Sequence, residues 1–163
     1  MAYLIDANVL IQAKKLHYGL DFCPAFWEWL IDENAADRVF SIEKVGDEIE
    51  AGGDELSDWA KDRGGGFFLK ADQALVGALA QVSLWATSQN YESAAVNTFL
   101  QIADYYLVGH ALAHDDIVVT HEIPSTSRKR IKIPDACLGL NVKFMTPFEM
   151  LRTSKARFVL PTV

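Results

Sequence analysis

Four carboxylates stand where this sequence could do chemistry: Asp6, Glu48, Asp104 and Glu122. Asp6 closes the apolar run Tyr3-Leu-Ile, and Glu122 follows Ile117-Val-Val-Thr-His. Both runs read as buried strands. In an open parallel sheet, ligands gather at the carboxyl ends of strands, near the switch in strand order. The two strands therefore deliver a carboxylate to the same edge. Glu48 lies one or two turns into the helix expected after the strand Val39-Phe-Ser-Ile, and Asp104 in the helix before Ile117. Four acids at one edge repel each other unless something positive sits between them. Mg²⁺ or Mn²⁺, hard cations that take oxygen ligands, are the natural counter-ions. Such ions polarise phosphoryl oxygens and acidify water. Two of them can clamp the attacking and leaving oxygens of a phosphodiester.

Each acid also has a plainer reading. Asp6 also suits a strand-end turn that caps a helix. Glu48 shares a charged helix with Glu43, Asp47 and Glu50, and Asp47 is an alternative second acid. Glu122 fits an exposed loop. Asp104 is the sharpest signal. It sits between Ile102-Ala103 and Tyr105-Tyr106-Leu107, and a lone carboxylate in such company needs a partner. Asp115-Asp116 reads as a solvated turn.

The elements that must hold these residues alternate. Asn8 is placed to cap a first helix. A second helix is expected from Pro24 to about Asp37, with Phe26, Trp29 and Leu30 facing inward. Further strands are expected at Val39–Ile42, Phe67–Leu69, Ile117–Thr120 and Val142–Met145. Two or three helices fall between Ala71 and Ala113, and Gly52-Gly53 breaks the helix after the second strand. The pattern predicts one α/β domain over residues 1–163, with a mostly parallel sheet of about four or five strands and helices on both faces. Gln73–Tyr91 carries no charge. Its polar residues, and Leu75, Leu79, Val82 and Trp85 at helical spacing, make it a core helix rather than a membrane span. Ser125–Lys132 is a polar, basic loop.

Composition sets bounds. The 163 residues are 50% apolar and 23% charged, which excludes a disordered chain. The net charge of −7 argues against a protein that coats nucleic acid indiscriminately. That total hides a split. Residues 1–124 hold 7 Lys and Arg against 20 Asp and Glu; residues 125–163 hold 8 against 2. Arg128, Lys129, Arg130 and Lys132 follow directly on Glu122, where they are placed to touch phosphates; a solvated loop is the plainer alternative. Cys23 and Cys137 are isolated thiols, which favours a reducing, cytoplasmic setting. No secretory signal is visible at the N-terminus.

Taken in order, these residues resemble a PIN-domain nuclease. Tyr3-Leu-Ile-Asp-Ala-Asn-Val-Leu is similar to that family's opening strand and first acid. Ala103-Asp104-Tyr-Tyr-Leu-Val-Gly-His-Ala resembles its third-acid helix, and Val118-Val-Thr-His-Glu122 its strand-end motif. Ile133-Pro-Asp-Ala-Cys and Val142-Lys-Phe-Met-Thr-Pro-Phe-Glu-Met-Leu resemble the tail of a poorly characterised PIN branch. The matches span nearly the whole chain. The resemblance implies a three-layer α/β/α fold and hydrolysis of RNA phosphodiesters with Mg²⁺ or Mn²⁺. It also implies that a small single-domain member is the toxin of a bacterial toxin–antitoxin pair, held by a cognate antitoxin and able to form a homodimer. Asp6 and Asp104 then become primary metal ligands and Glu48 the second acid. Asn8 would orient Asp6, and Thr120 would hydrogen-bond a ligand or a water. Glu122 stands where the family often has Asp. Asp135 would supplement the cluster. The aromatics of Phe22–Trp29 would be either core or an antitoxin contact.

Three other readings start from the same residues. His110 and His114, four apart on a helix, could join His121 and Cys137 around zinc, although the glutamate of HExxH is missing. A haloacid-dehalogenase-type phosphatase also places an Asp after its first strand, but wants a second Asp where Asn8 stands. A PIN-like module could bind RNA or protein without cleaving it.

Overall fold

The computed structural model describes residues 1–162, so Val163, the last residue of the expected domain, lies outside the described residues. Five strands form one parallel sheet: β1 (Tyr3–Ile5), β2 (Val39–Ile42), β3 (Phe68–Leu69), β4 (Ile117–Val119) and β5 (Lys143–Met145). Their order is β3-β2-β1-β4-β5, and every pairing is parallel. The chain moves outward from β1 to β3, then crosses back to β4 on the other side of β1. The switch in strand order therefore falls between β1 and β4, where the sequence put its two best strands. These strands are nearly continuous apolar runs because both of their faces are covered. Leu4, Ile5, Val39, Val118 and Val119 are all fully buried.

Right-handed crossovers send the two sets of connecting helices to opposite faces of such a sheet. The result is a three-layer α/β/α sandwich. Between β1 and β2 come α1 (Ala7–Gln12), a π-helical turn at Ala13–His17, and α2 (Pro24–Ala35), which packs on β2. Pro24 opens α2 as expected, where a missing N–H costs nothing. Phe26, Trp27 and Leu30 are buried. Phe26 and Trp27 are thus core, Trp29 is half-buried against them, and Phe22 is left exposed. Between β2 and β3, α3 (Glu43–Glu50) and α4 (Glu55–Arg63) are separated at Gly52-Gly53, and an Asp54–Ser57 capping box starts α4. Gly46 lets α3 lie close on β3: a Cβ there would stand 3.0 Å from the Phe68 ring.

Three helices fill the long crossover to β4. They are α5 (Gln73–Ser88), α6 (Ser93–Phe99) and α7 (Ala103–His114). The uncharged segment is α5. It buries Leu75, Ala78, Val82 and Ala86 and packs on α7. Among the described residues no helix is long and apolar enough to cross a membrane. Helix α7 buries Leu107, Val108 and Ala111, packing on β2 and β4. Helix α8 (Ile133–Leu140) leads to β5, and α9 (Pro147–Thr153) follows behind a Thr146–Glu149 capping box.

The first helix begins two residues earlier than Asn8 as a cap would require. Asp6, with extended backbone (φ −69°, ψ 147°), is the residue before the first turn, and Asn8 lies inside α1. Asp6 makes no side-chain cap bond, because its carboxylate is engaged elsewhere.

Candidate functional site

Register explains the centre of the site. Tyr3, Leu4 and Ile5 pair with Ile117, Val118 and Val119. The ladder runs one step further, since the Asp6 N–H donates to the Val119 carbonyl at 3.0 Å. Asp6 and Thr120 therefore leave the sheet side by side, and the Thr120 hydroxyl donates to Asp6 Oδ2 at 3.0 Å. The same hydroxyl oxygen accepts from the Glu122 backbone N–H at 3.1 Å. Thr120, 1% exposed, thus ties together two of the expected acids.

Asp104 arrives from α7. It is the second residue of that helix, one turn ahead of buried Leu107 and Val108, so it shares their inward face. Glu48 arrives from α3 on the same face as Lys44, four residues earlier. All four acids line one cavity of about 600 Å³ at the carboxyl edge of β1 and β4, together with Asn8, Lys44 and Arg130. Asp47 is not among the lining residues, which selects Glu48 of the two candidates.

The electrostatics reflect this crowding. Burial, then the charge of Asp104, pushes the Asp6 carboxyl from 3.8 up to about 7, against the lowering effect of the Thr120 hydrogen bond. Burial and the charge of Glu122 raise Asp104 to about 6. Glu122 is also raised, by burial, although Arg130 opposes this. Arg130 Nη2 stands 3.7 Å from Glu122 Oε1, while Glu122 Oε2 is buried without a hydrogen-bond partner. Among the described residues no three His, Cys, Asp or Glu side chains stand close enough together to hold a metal ion as they are. The carboxylates surround the cavity instead of meeting at a point. Their chemistry nonetheless suits a hard divalent ion, and the orphaned Glu122 oxygen and the raised acids are what such an ion would satisfy.

Other expected residues fall less simply. Asn8 lines the cavity but does not orient Asp6. It is exposed on α1, where its Oδ1 accepts from Gln12 Nε2 at 3.5 Å. Thr120 does the orienting. Asp135 does not line the cavity; its Oδ1 accepts from the Ser125 N–H at 3.0 Å and anchors the basic loop, while Oδ2 is buried without a partner. Of the four cations, only Arg130 lines the acidic cavity. Arg128 is spent on structure: Nε donates to the Asn90 carbonyl at 2.7 Å and Nη2 to Asn90 Oδ1 at 3.0 Å. Lys129 lines a neighbouring cavity. Lys132 precedes α8 and lowers the Glu122 carboxyl from nearby.

Lys44 was not singled out from the sequence. Its ammonium lies 5.0 Å from the centre of the Tyr106 ring, which holds it beside the acids. The available signal was its spacing of four from Glu48. The zinc set is not assembled. His110 and His114 line a separate cavity with Asp72 and Asp116, where His114 Nε2 is 2.8 Å from Asp72 Oδ2. His121 packs against His17 and Phe148. Cys137 is buried in α8, and burial pushes its thiol up to about 12.

The fold and site define a three-layer α/β protein with an acidic cleft at the switch point of its sheet. By sequence, the chain belongs to a domain family of unknown function, DUF4411, whose model matches residues 3–158. No curated protein matches the chain. No solved structure matches it either.

Proposed function

We propose that this protein is a PIN-type, metal-dependent endoribonuclease that hydrolyses RNA phosphodiesters with Mg²⁺ or Mn²⁺. The observation that carries this reading is the convergence of Asp6, Glu48, Asp104 and Glu122 on one cavity at the sheet's switch point. Asp6 and Asp104, the most buried of the four, would hold the ion, with Glu48 and Glu122 flanking it. A bound divalent ion supplies Lewis acidity toward a phosphoryl oxygen and makes deprotonation of water accessible near neutral pH. The chain's own residues do the rest. Thr120 holds the Asp6 carboxylate in one orientation. Arg130 and Lys44 offer cations to the phosphate being attacked and to charge that develops on it. Asn8 presents an amide to the same cavity. Lys129 and Lys132 lie along the basic segment that a flexible strand would follow.

The local charge supports an anionic substrate on an acidic protein. Arg130 reaches into the cleft from a segment, residues 125–163, that is net positive. Action as a toxin, neutralised by an antitoxin, belongs to the same proposal and rests on the resemblance of the motifs to small PIN-domain toxins. So does a homodimer.

The test is direct. Purified protein is incubated with RNA in Mn²⁺ or Mg²⁺, with a chelator, and as Asp104→Asn. Internal cleavage that chelation and Asp104→Asn both abolish is expected. RNA binding without cleavage would leave a non-cleaving module, and cleavage untouched by either change would overturn the acid cluster. For the toxin role, expression should arrest growth and Asp6→Ala should relieve it. Equal growth of both strains would remove that role alone.

A further inference from the structure

A second cavity, of about 210 Å³, adjoins the acidic one. Phe99 and Ile131, 1% and 2% exposed, form its floor. Ile102 walls one side, Thr98 edges it, and Lys129 and Arg130 stand on its rim. Ile102 and Arg130 line both cavities, so the two spaces are contiguous. Ile102 precedes Asp104 by two residues, and Arg130 is the cation 3.7 Å from Glu122.

We infer that this cavity is a subsite for one RNA base next to the scissile phosphate, and that it sets the nucleotide preference of the cleft. The inference rests on the nuclease reading and names part of its substrate. Its volume falls below the ~300 Å³ at which pockets begin to hold whole ligands, so it suits a single ring system. An apolar floor with a guanidinium beside it is what an unstacked base seeks, because every base has a π-face for apolar and Arg surfaces. The two rim cations match the phosphates on either side of that base. An apolar side chain from a protein partner would use the floor equally well but neither of the cations. Thr98 is exposed, and its hydroxyl can read a base edge.

The test uses the full chain in chelator. The four nucleoside 5′-monophosphates and ribose 5-phosphate are titrated by calorimetry, against wild type and Thr98→Trp. At least one monophosphate should bind about tenfold more tightly than ribose 5-phosphate. Thr98→Trp fills the cavity from an exposed position, so its Tm should hold while that difference disappears. In Mn²⁺, the same substitution should flatten the base preference at cut sites in randomised RNA. Four monophosphates that bind no better than ribose 5-phosphate would overturn the subsite, as would selectivity that survives Thr98→Trp. Binding of N-acetyl-leucine amide in preference to every monophosphate would overturn it in favour of a peptide. The two readings fail separately. Base-selective binding without RNA cleavage by wild type removes the nuclease and keeps the subsite. Cleavage with no base preference does the reverse.

Discussion

The Thr120 hydroxyl donates to Asp6 Oδ2 at 3.0 Å, at the sheet edge where both side chains are buried and Asp6 borders the cavity. This bond follows from the parallel register of β1 and β4, continued by one residue. It also fixes which carboxylate lone pairs remain for a cation. Supporting bonds of this kind typically set metal affinity or activity within about 10–100-fold. Thr120→Val should therefore weaken Mn²⁺ binding by about that factor, measured by calorimetry. Thr120→Ser should restore most of it, since it keeps the hydroxyl. Equal Mn²⁺ affinity in all three proteins would show that the bond does not position Asp6.

The raised acids predict an unusual pH dependence for the metal-free protein. Asp6 titrates near 3.8 when unfolded and about 7 when folded, and Asp104 near 3.8 and about 6. Below 3.8 both groups are protonated in both states. Between 3.8 and 7 the unfolded chain ionises first, so stability falls as pH rises through that window. The metal-free protein should melt at a lower temperature at pH 8 than at pH 5, and Mn²⁺ should recover the loss at pH 8. Asp6→Asn should raise Tm at pH 8 without metal, by about 2–4 °C for each kcal/mol of relieved strain. A metal-free Tm that climbs steadily from pH 5 to 8 would contradict this.

Lys44 offers a third prediction. Lys44→Met keeps the stem that crosses Tyr106 and removes the charge beside the acids. RNA cleavage should fall by about 10-fold or more in kcat, because the residue faces the cleft where charge develops. Stability should fall by only about 0.5–1 kcal/mol, the worth of one exposed cation–π contact. A double-mutant cycle with Tyr106→Leu should return a coupling of about 0.5–1 kcal/mol.

The cations of the basic loop divide by role. Arg130→Ala and Lys129→Ala should each lower RNA affinity and reduce the salt slope by about 1. Arg128→Ala should leave the slope unchanged, because its guanidinium is committed to Asn90. It should instead loosen the loop, which proteolysis or hydrogen exchange at residues 125–130 would report. A salt slope that drops equally for all three would mean that Arg128 leaves Asn90 when RNA binds.

Local pattern carried much of this protein. Apolar runs bounded by turn residues marked all five strands within one or two residues, most sharply at the central β1 and β4, because a strand covered on both faces is nearly continuous apolar sequence. Asp104 stood out for a physical reason too: a carboxylate between apolar neighbours has nowhere to shed its charge. Glu48 and Asp47 could not be separated from sequence, since both lie on one charged turn and only the packing angle of α3 decides which enters the cavity. Asn8 suits the cap because Asn is a good cap in isolation, and its orienting role is what the resemblance alone implies. The ladder bond from Asp6 to Val119 starts the helix at Ala7 and hands the orienting role to Thr120, 114 residues away. Arg128 and Arg130, two residues apart in one basic run, were indistinguishable until Asn90 arrived from the end of α5 to claim the first. The parallel sheet and its acidic edge were already legible along the chain, since hydrophobic period and residue type are local properties. Which polar groups face the cavity follows from the folded arrangement alone, because it depends on register, helix start and loop anchoring between segments far apart in sequence.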